Sequence, residues 1–105
     1  MYNLEYLPVA RQDMIDIVRY IGRELNNPKA AERMAVELID AGNRIASFPY
    51  ANPAYIPIRP LKHEYRKLLI RNYLMFYWVN EENNLVTIAR VIYARVKYCS
   101  QKGFL

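Results

Sequence analysis

Residues 73–79, YLMFYWV, are apolar at nearly every position. A strand of this kind gains from burial on both faces, so it belongs in the middle of a sheet with material above and below it. Two further strand-like runs flank it. Residues 65–70 precede it across a tight turn at Arg71-Asn72, and residues 85–93 follow it after the polar loop Glu81-Glu82-Asn83-Asn84.

The first half supplies the layer that such a sheet needs. In the opening MYNLEYL, Tyr2, Leu4 and Tyr6 alternate with Asn3 and Glu5, the period of a short strand. Pro8 suits the first position of a helix. From there Met14, Ile17, Val18, Ile21 and Leu25 recur at helical spacing, so residues 8–25 read as one amphipathic helix. Asn26-Asn27-Pro28 ends it and starts a second, over 28–48, with the stripe Ala31, Met34, Ala35, Leu38, Ala41, Gly42 and Ile45. So short a turn makes the pair an antiparallel hairpin. Four prolines (Pro49, Pro53, Pro57 and Pro60) then block regular structure and leave an irregular, stiff connection.

The order is therefore β-α-α-β-β-β. It predicts a two-layer α+β fold in which the helical hairpin packs on a mainly antiparallel sheet of about four strands, with the other sheet face open. At 105 residues and 53% hydrophobic content the whole chain, 1–105, is expected to be one domain with a core that needs no staples. No segment resembles a membrane span or a signal peptide, and the lone Cys99 cannot form an internal disulfide; a cytosolic protein with no membrane partner is expected.

Charge is divided unevenly. Residues 1–54 hold six Lys or Arg against seven acids, whereas residues 55–105 hold nine against three. A basic second half favours phosphates or an acidic protein segment as partner. Metal and cofactor chemistry has no support: one histidine, one cysteine and three scattered glycines provide neither a ligand cluster nor a phosphate loop. What remains is cationic and phenolic. RNA cleavage can be run with such groups, because the 2′-OH is the nucleophile and the protein supplies a proton acceptor, a proton donor and positive charge.

The pool for that chemistry is Lys62, His63, Arg66, Lys67, Arg71, Arg90, Arg95, Lys97 and Tyr98. Strand phase puts Tyr65, Lys67 and Leu69 on one face and Arg66, Leu68 and Ile70 on the other. Arg90 sits among Ile88 and Ile92, so it needs either a carboxylate partner or a ligand. Arg66, Arg95, Tyr98 and His63 are the candidates for catalysis. Lys62, Lys67, Arg71, Arg90 and Lys97 are the candidates for holding a nucleic acid or another target.

The joint pattern resembles the RelE/ParE superfamily of bacterial type II toxins. It is carried by the opening strand with Pro8-Val9-Ala10-Arg11-Gln12-Asp13-Met14, by Ile17 through Tyr20-Ile21, by Ile45-Ala46-Ser47-Phe48-Pro49, and by Tyr65-Arg66-Lys67, Tyr73-Leu74-Met75-Phe76-Tyr77 and Val91-Ile92-Tyr93-Ala94-Arg95. The resemblance implies a toxin that arrests growth unless a cognate antitoxin wraps it in a hetero-oligomer through an extended or helical segment. Members similar to RelE cut mRNA on the ribosome without a metal. Members similar to ParE inhibit DNA gyrase and are not nucleases.

The departures bear on that choice. RelE-like ribonucleases place an Arg just after the aromatic that begins the central strand, where this chain has Leu74. Arg95 matches a further Arg of that set, Tyr98 only approximates its Tyr, and Val96 stands where a second terminal Arg is common. The ribonuclease set is incomplete, and the two long helices meeting at Asn26-Asn27-Pro28 are closer to a ParE-like hairpin. The alternative to both is a benign antitoxin-binding module whose basic face has no other target.

Overall fold

The first strand, β1 (Asn3–Tyr6), alternates as its sequence demands in the computed structural model of the chain, which describes residues 1–56 and 62–95. Tyr2, Leu4 and Tyr6 turn inward and Asn3 and Glu5 outward. Pro8 opens helix α1 (Pro8–Arg19), where its missing N–H costs nothing. The predicted helix over 8–25 does not run through. Its last turn widens into a π-helical segment, Tyr20–Glu24, in which the Leu25 N–H reaches back five residues to the Tyr20 carbonyl at 3.2 Å. That turn rotates Leu25 out of the core-facing stripe, so Ile21 packs inside while Leu25 is exposed.

Asn26, in the left-handed region at φ 49°, reverses the chain. Asn27 then caps helix α2 (Pro28–Ser47) by accepting the Ala30 N–H at 3.2 Å. The expected stripe is buried at Ala31, Met34, Leu38, Ala41, Gly42 and Ile45, with Ala46 added and Ala35 only half-buried. Gly42 is there for proximity: a Cβ would lie 2.1 Å from the Tyr6 hydroxyl. Only a glycine lets α2 lie this close to β1.

After a single 3-10 turn, Pro49–Ala51, three strands follow: β2 (Arg66–Ile70), β3 (Tyr73–Asn80) and β4 (Leu85–Tyr93). The sheet order is β1-β4-β3-β2, with β1 parallel to β4 and the other pairs antiparallel. This is the α+β architecture expected from the sequence. The main core lies between layers, where Met34, Leu38 and Ile45 meet Met75, Tyr77, Val86, Ile88 and Val91.

Two expectations are corrected. The second sheet face is not open: Tyr65, Leu74, Phe76 and Ala89 form a smaller core there, joined by Tyr55 from the proline-rich connection, whose ring meets Phe76 edge-on at 5.4 Å. Strict alternation also fails in β4. Phe76 pairs with Arg90 but Tyr77 with Ile88, which leaves Ala89 as a bulge and sends Ile88 and Ile92 to opposite faces.

Candidate target-binding surface

Among the described residues, the basic side chains of the second half are spread over both faces and both ends of the sheet. Arg66 opens β2 opposite Tyr77, on the helix side, while Lys67 stands on the other face with its Nζ 5.8 Å from the Tyr55 ring centroid. Arg95 follows the end of β4, where Tyr93 pairs with Tyr73. Between Tyr77 and Tyr73 lie four steps of β3, or about 13 Å of strand, so the backbones of Arg66 and Arg95 belong to opposite ends of the sheet. Tyr98 and Lys97 lie outside the described residues.

Around Arg66 the proline-rich connection builds a polar corner. Pro49 and Pro53 stiffen the chain on either side of Tyr50 and Asn52. The Tyr77 hydroxyl donates to the Pro49 carbonyl and accepts from Asn52 Nδ2 at 3.2 Å, which fixes the turn to the central strand. Arg66 then donates to the Asn52 carbonyl at 2.8 Å and to Glu64 Oε1 at 3.0 Å, with its guanidinium carbon 4.8 Å from the Tyr50 ring centroid. Next to it His63 stacks on Trp78, rings 3.9 Å apart and 3° from parallel. Tyr50, His63, Glu64, Arg66, Trp78 and Val79 line a pocket of about 90 Å³, and Lys62, next to His63 in the chain, is exposed.

Glu81 completes this corner from the β3–β4 loop. One of its oxygens accepts from both the Tyr2 hydroxyl, at 2.7 Å, and the Tyr50 hydroxyl. Those two hydrogen bonds hold its carboxyl below the usual range, and the same contact pushes the Tyr50 phenol up to about 12. In the sequence Glu81 reads only as part of a polar loop, and neither Tyr50 nor Asn52 stands out. The prolines flanking both were the available signal, since a stiff loop holds its side chains in place.

At the other end the cations are engaged. Arg71, in the left-handed region at φ 53°, forms a two-pronged ion pair with Glu37 of α2 at 2.6 and 2.9 Å. Arg90 grips Asp13 of α1 through Nε at 2.8 Å and Nη2 at 3.1 Å. Of the two sequence readings for Arg90, the carboxylate partner is present. In short, the described residues bring His63 and Arg66 together but leave Arg95 apart from them, and Leu74 is buried at 8% exposure beside Phe76 and Tyr65.

A family model described as the ParE toxin of type II toxin-antitoxin systems, parDE, matches residues 4–98. The chain belongs to the ParE toxin family. It is thus a toxin-family protein of the RelE/ParE superfamily, as its fold also indicates. The chain from the chromosomal ParDE toxin-antitoxin system of P. aeruginosa superposes with a TM-score of 0.69 at 14% identity, covering 89% of this chain and 96% of that one. The Mycobacterium tuberculosis RelBE2 toxin-antitoxin complex gives 0.61 at 17%, covering 88% and 96%. The isolated E. coli RelE toxin gives 0.54 at 19%, covering 90% and 85%. No curated protein matches the chain. Among the described residues no helix is long and apolar enough to cross a membrane.

Proposed function

We propose that this ParE-family toxin arrests growth by binding and inhibiting DNA gyrase rather than by cutting mRNA. The observation that carries the reading is Leu74. Where RelE-like ribonucleases place an arginine, this chain has a buried leucine within a second apolar core of Tyr65, Phe76 and Ala89. A charge needed on that face would have to displace packed side chains, and burying it would be costly. The distance between Arg66 and Arg95 supports the same reading, because a phosphorane needs its positive charge and proton carriers at one atom. The polar corner with its stacked His63 and Trp78 is then a recognition surface.

In this reading an antitoxin keeps the toxin silent. A groove of about 640 Å³ between α1 and α2 supports it, lined by Leu4, Met14, Ile15, Val18, Leu38 and Ile39, with Ile39 55% exposed. Arg11 and Arg19 stand on its rim, so the fitting occupant is an antitoxin helix with an apolar stripe and acidic flanks.

The deciding experiment runs both targets on one preparation. Purified toxin should block supercoiling by gyrase while mRNA on translating ribosomes stays intact, and the product of the adjacent reading frame should restore supercoiling. Cleaved mRNA with normal supercoiling would overturn the proposal in favour of the ribonuclease reading, in which His63 and Arg66 of the shared pocket are the residues to pursue.

A further inference from the structure

A third concavity lies away from the polar corner, where the end of α1 faces the Tyr73–Tyr93 end of the sheet. It encloses about 620 Å³, and its walls are Asp16, Ile17, Tyr20, Leu25, Tyr73 and Tyr93. The π-helical turn builds one wall. Because the Leu25 N–H bonds to the Tyr20 carbonyl five residues back, the two side chains stand one above the other and both face the cavity, which an α-helical turn would not allow. Opposite them Tyr73 and Tyr93 meet edge to face at 5.7 Å.

Three phenolic rings therefore converge on one space. Burial pushes the Tyr73 phenol up, with Tyr20 and Tyr93 adding to the effect from close by. Asp16 supplies the charge. Its Oδ1 accepts from Gln12 Nε2 at 2.9 Å, and its other oxygen has no partner among the described residues. Asp13 also borders the space, but its carboxylate is spent on Arg90 and on the Val91 N–H.

We propose that this cavity docks an arginine-bearing segment of a protein partner, with the guanidinium stacked on the tyrosine rings and facing Asp16. Aromatic faces and a carboxylate attract a cation and repel an anion. A planar guanidinium stacks on such rings where an ammonium does not. The volume points to a peptide rather than a lone small cation, because the exposed Leu25 offers apolar surface to the residues beside the arginine. The site is independent of the gyrase reading and of the antitoxin groove.

The test is an NMR titration of the full chain with the tripeptide amide acetyl-Leu-Arg-Leu and with its citrulline analogue, which keeps the shape and loses the charge. Saturable shifts are expected at residues 16, 20, 73 and 93 with the arginine peptide, and binding about two- to fivefold weaker with citrulline, the size of an exposed cation–π contact. Asp16→Asn and Tyr93→Ala, both at exposed positions, should each weaken the arginine peptide by a similar factor. Equal shifts from both peptides, shifts that do not saturate, or shifts that ignore these two substitutions would overturn the proposal.

Discussion

Asp13 of α1 holds Arg90 of β4 by both carboxylate oxygens, and its Oδ2 also accepts the Val91 backbone N–H at 3.0 Å. The reason is an edge. β1 pairs with β4 only as far as Tyr6 opposite Ile88, so beyond that point β4 has donors with no neighbouring strand on its β1 side. The chain turns into α1 there and offers a carboxylate in place of the missing carbonyls. The bulge at Ala89 brings Arg90 into reach of it. With side chains 26% and 15% exposed, the pair is half screened from water.

Removing the carboxylate should therefore cost more than a surface ion pair. Asp13→Ala takes both carboxylate contacts from a half-buried guanidinium and the acceptor from a strand N–H, and is expected to destabilise the fold by about 2–3 kcal/mol. Asp13→Asn keeps an acceptor for Val91 and should cost clearly less. Urea unfolding followed by circular dichroism measures both. Equal losses for the two variants would mean that the backbone contact contributes nothing.

Gly42 gives a sharper test, because its neighbour is known atom by atom. Gly42→Ala sets a methyl against the Tyr6 hydroxyl and should destabilise by about 1–3 kcal/mol through overpacking. Tyr6→Phe removes that oxygen and leaves the ring carbon Cζ at 3.2 Å, tight but tolerable with a small shift. The double variant should thus recover part of the loss, a coupling that a double-mutant cycle in urea would read. Strict additivity would show that α2 simply moves away from β1.

The strands and the hairpin were legible because their periods are local. YLMFYWV announces a central strand, and the stripe from Ala31 to Ile45 announces the packed face of α2. The π turn was not legible: Leu25 has the spacing of a core residue, and only tertiary packing decides that the backbone widens before it. The bulge at Ala89 was hidden for the same reason, since one extra residue reverses every later side chain without altering composition. Of the site residues, phase placed Arg66 and Lys67 correctly on opposite faces. The polar corner escaped because Tyr50, Asn52 and Glu81 come from segments whose meeting depends on how an irregular loop crosses the sheet end.

That corner should respond to pH in two separate windows. Glu81 is held below its ordinary range by the Tyr50 and Tyr2 hydroxyls, so its contribution to stability is present above the unfolded carboxyl value, about 4.3, and is lost as pH falls through the depressed folded value. Tyr50 works in the opposite sense. Its phenol, pushed up to about 12, favours the fold below the unfolded value of about 10, and that contribution disappears as pH rises through about 12. The melting temperature of wild type should exceed that of Glu81→Gln at pH 7, and the gap should close in acid. Ultraviolet titration of phenolate should lose a step near 12 in Tyr50→Phe. A gap that persists in acid would assign Glu81 a role unrelated to its charge.

Toxicity tests where the working surface lies. If the polar corner recognises the target, then Arg66→Ala, which frees Tyr50, Glu64 and the Asn52 carbonyl at once, should relieve growth arrest strongly, and pairing it with Arg95→Ala should relieve it more. Arg23→Ala removes an exposed charge of the π turn, which is no part of the polar corner, and should leave arrest intact. Folding has to be separated from recognition. Arg66→Lys keeps a cation but loses the simultaneous reach to Asn52 and Glu64, so its melting temperature should fall with that of Arg66→Ala while part of the toxicity returns. Colony counts after induction, set beside melting temperatures of the purified variants, give both readouts. Arrest that tracks stability alone across the series, or that falls equally in Arg23→Ala, would move the working surface elsewhere on the molecule.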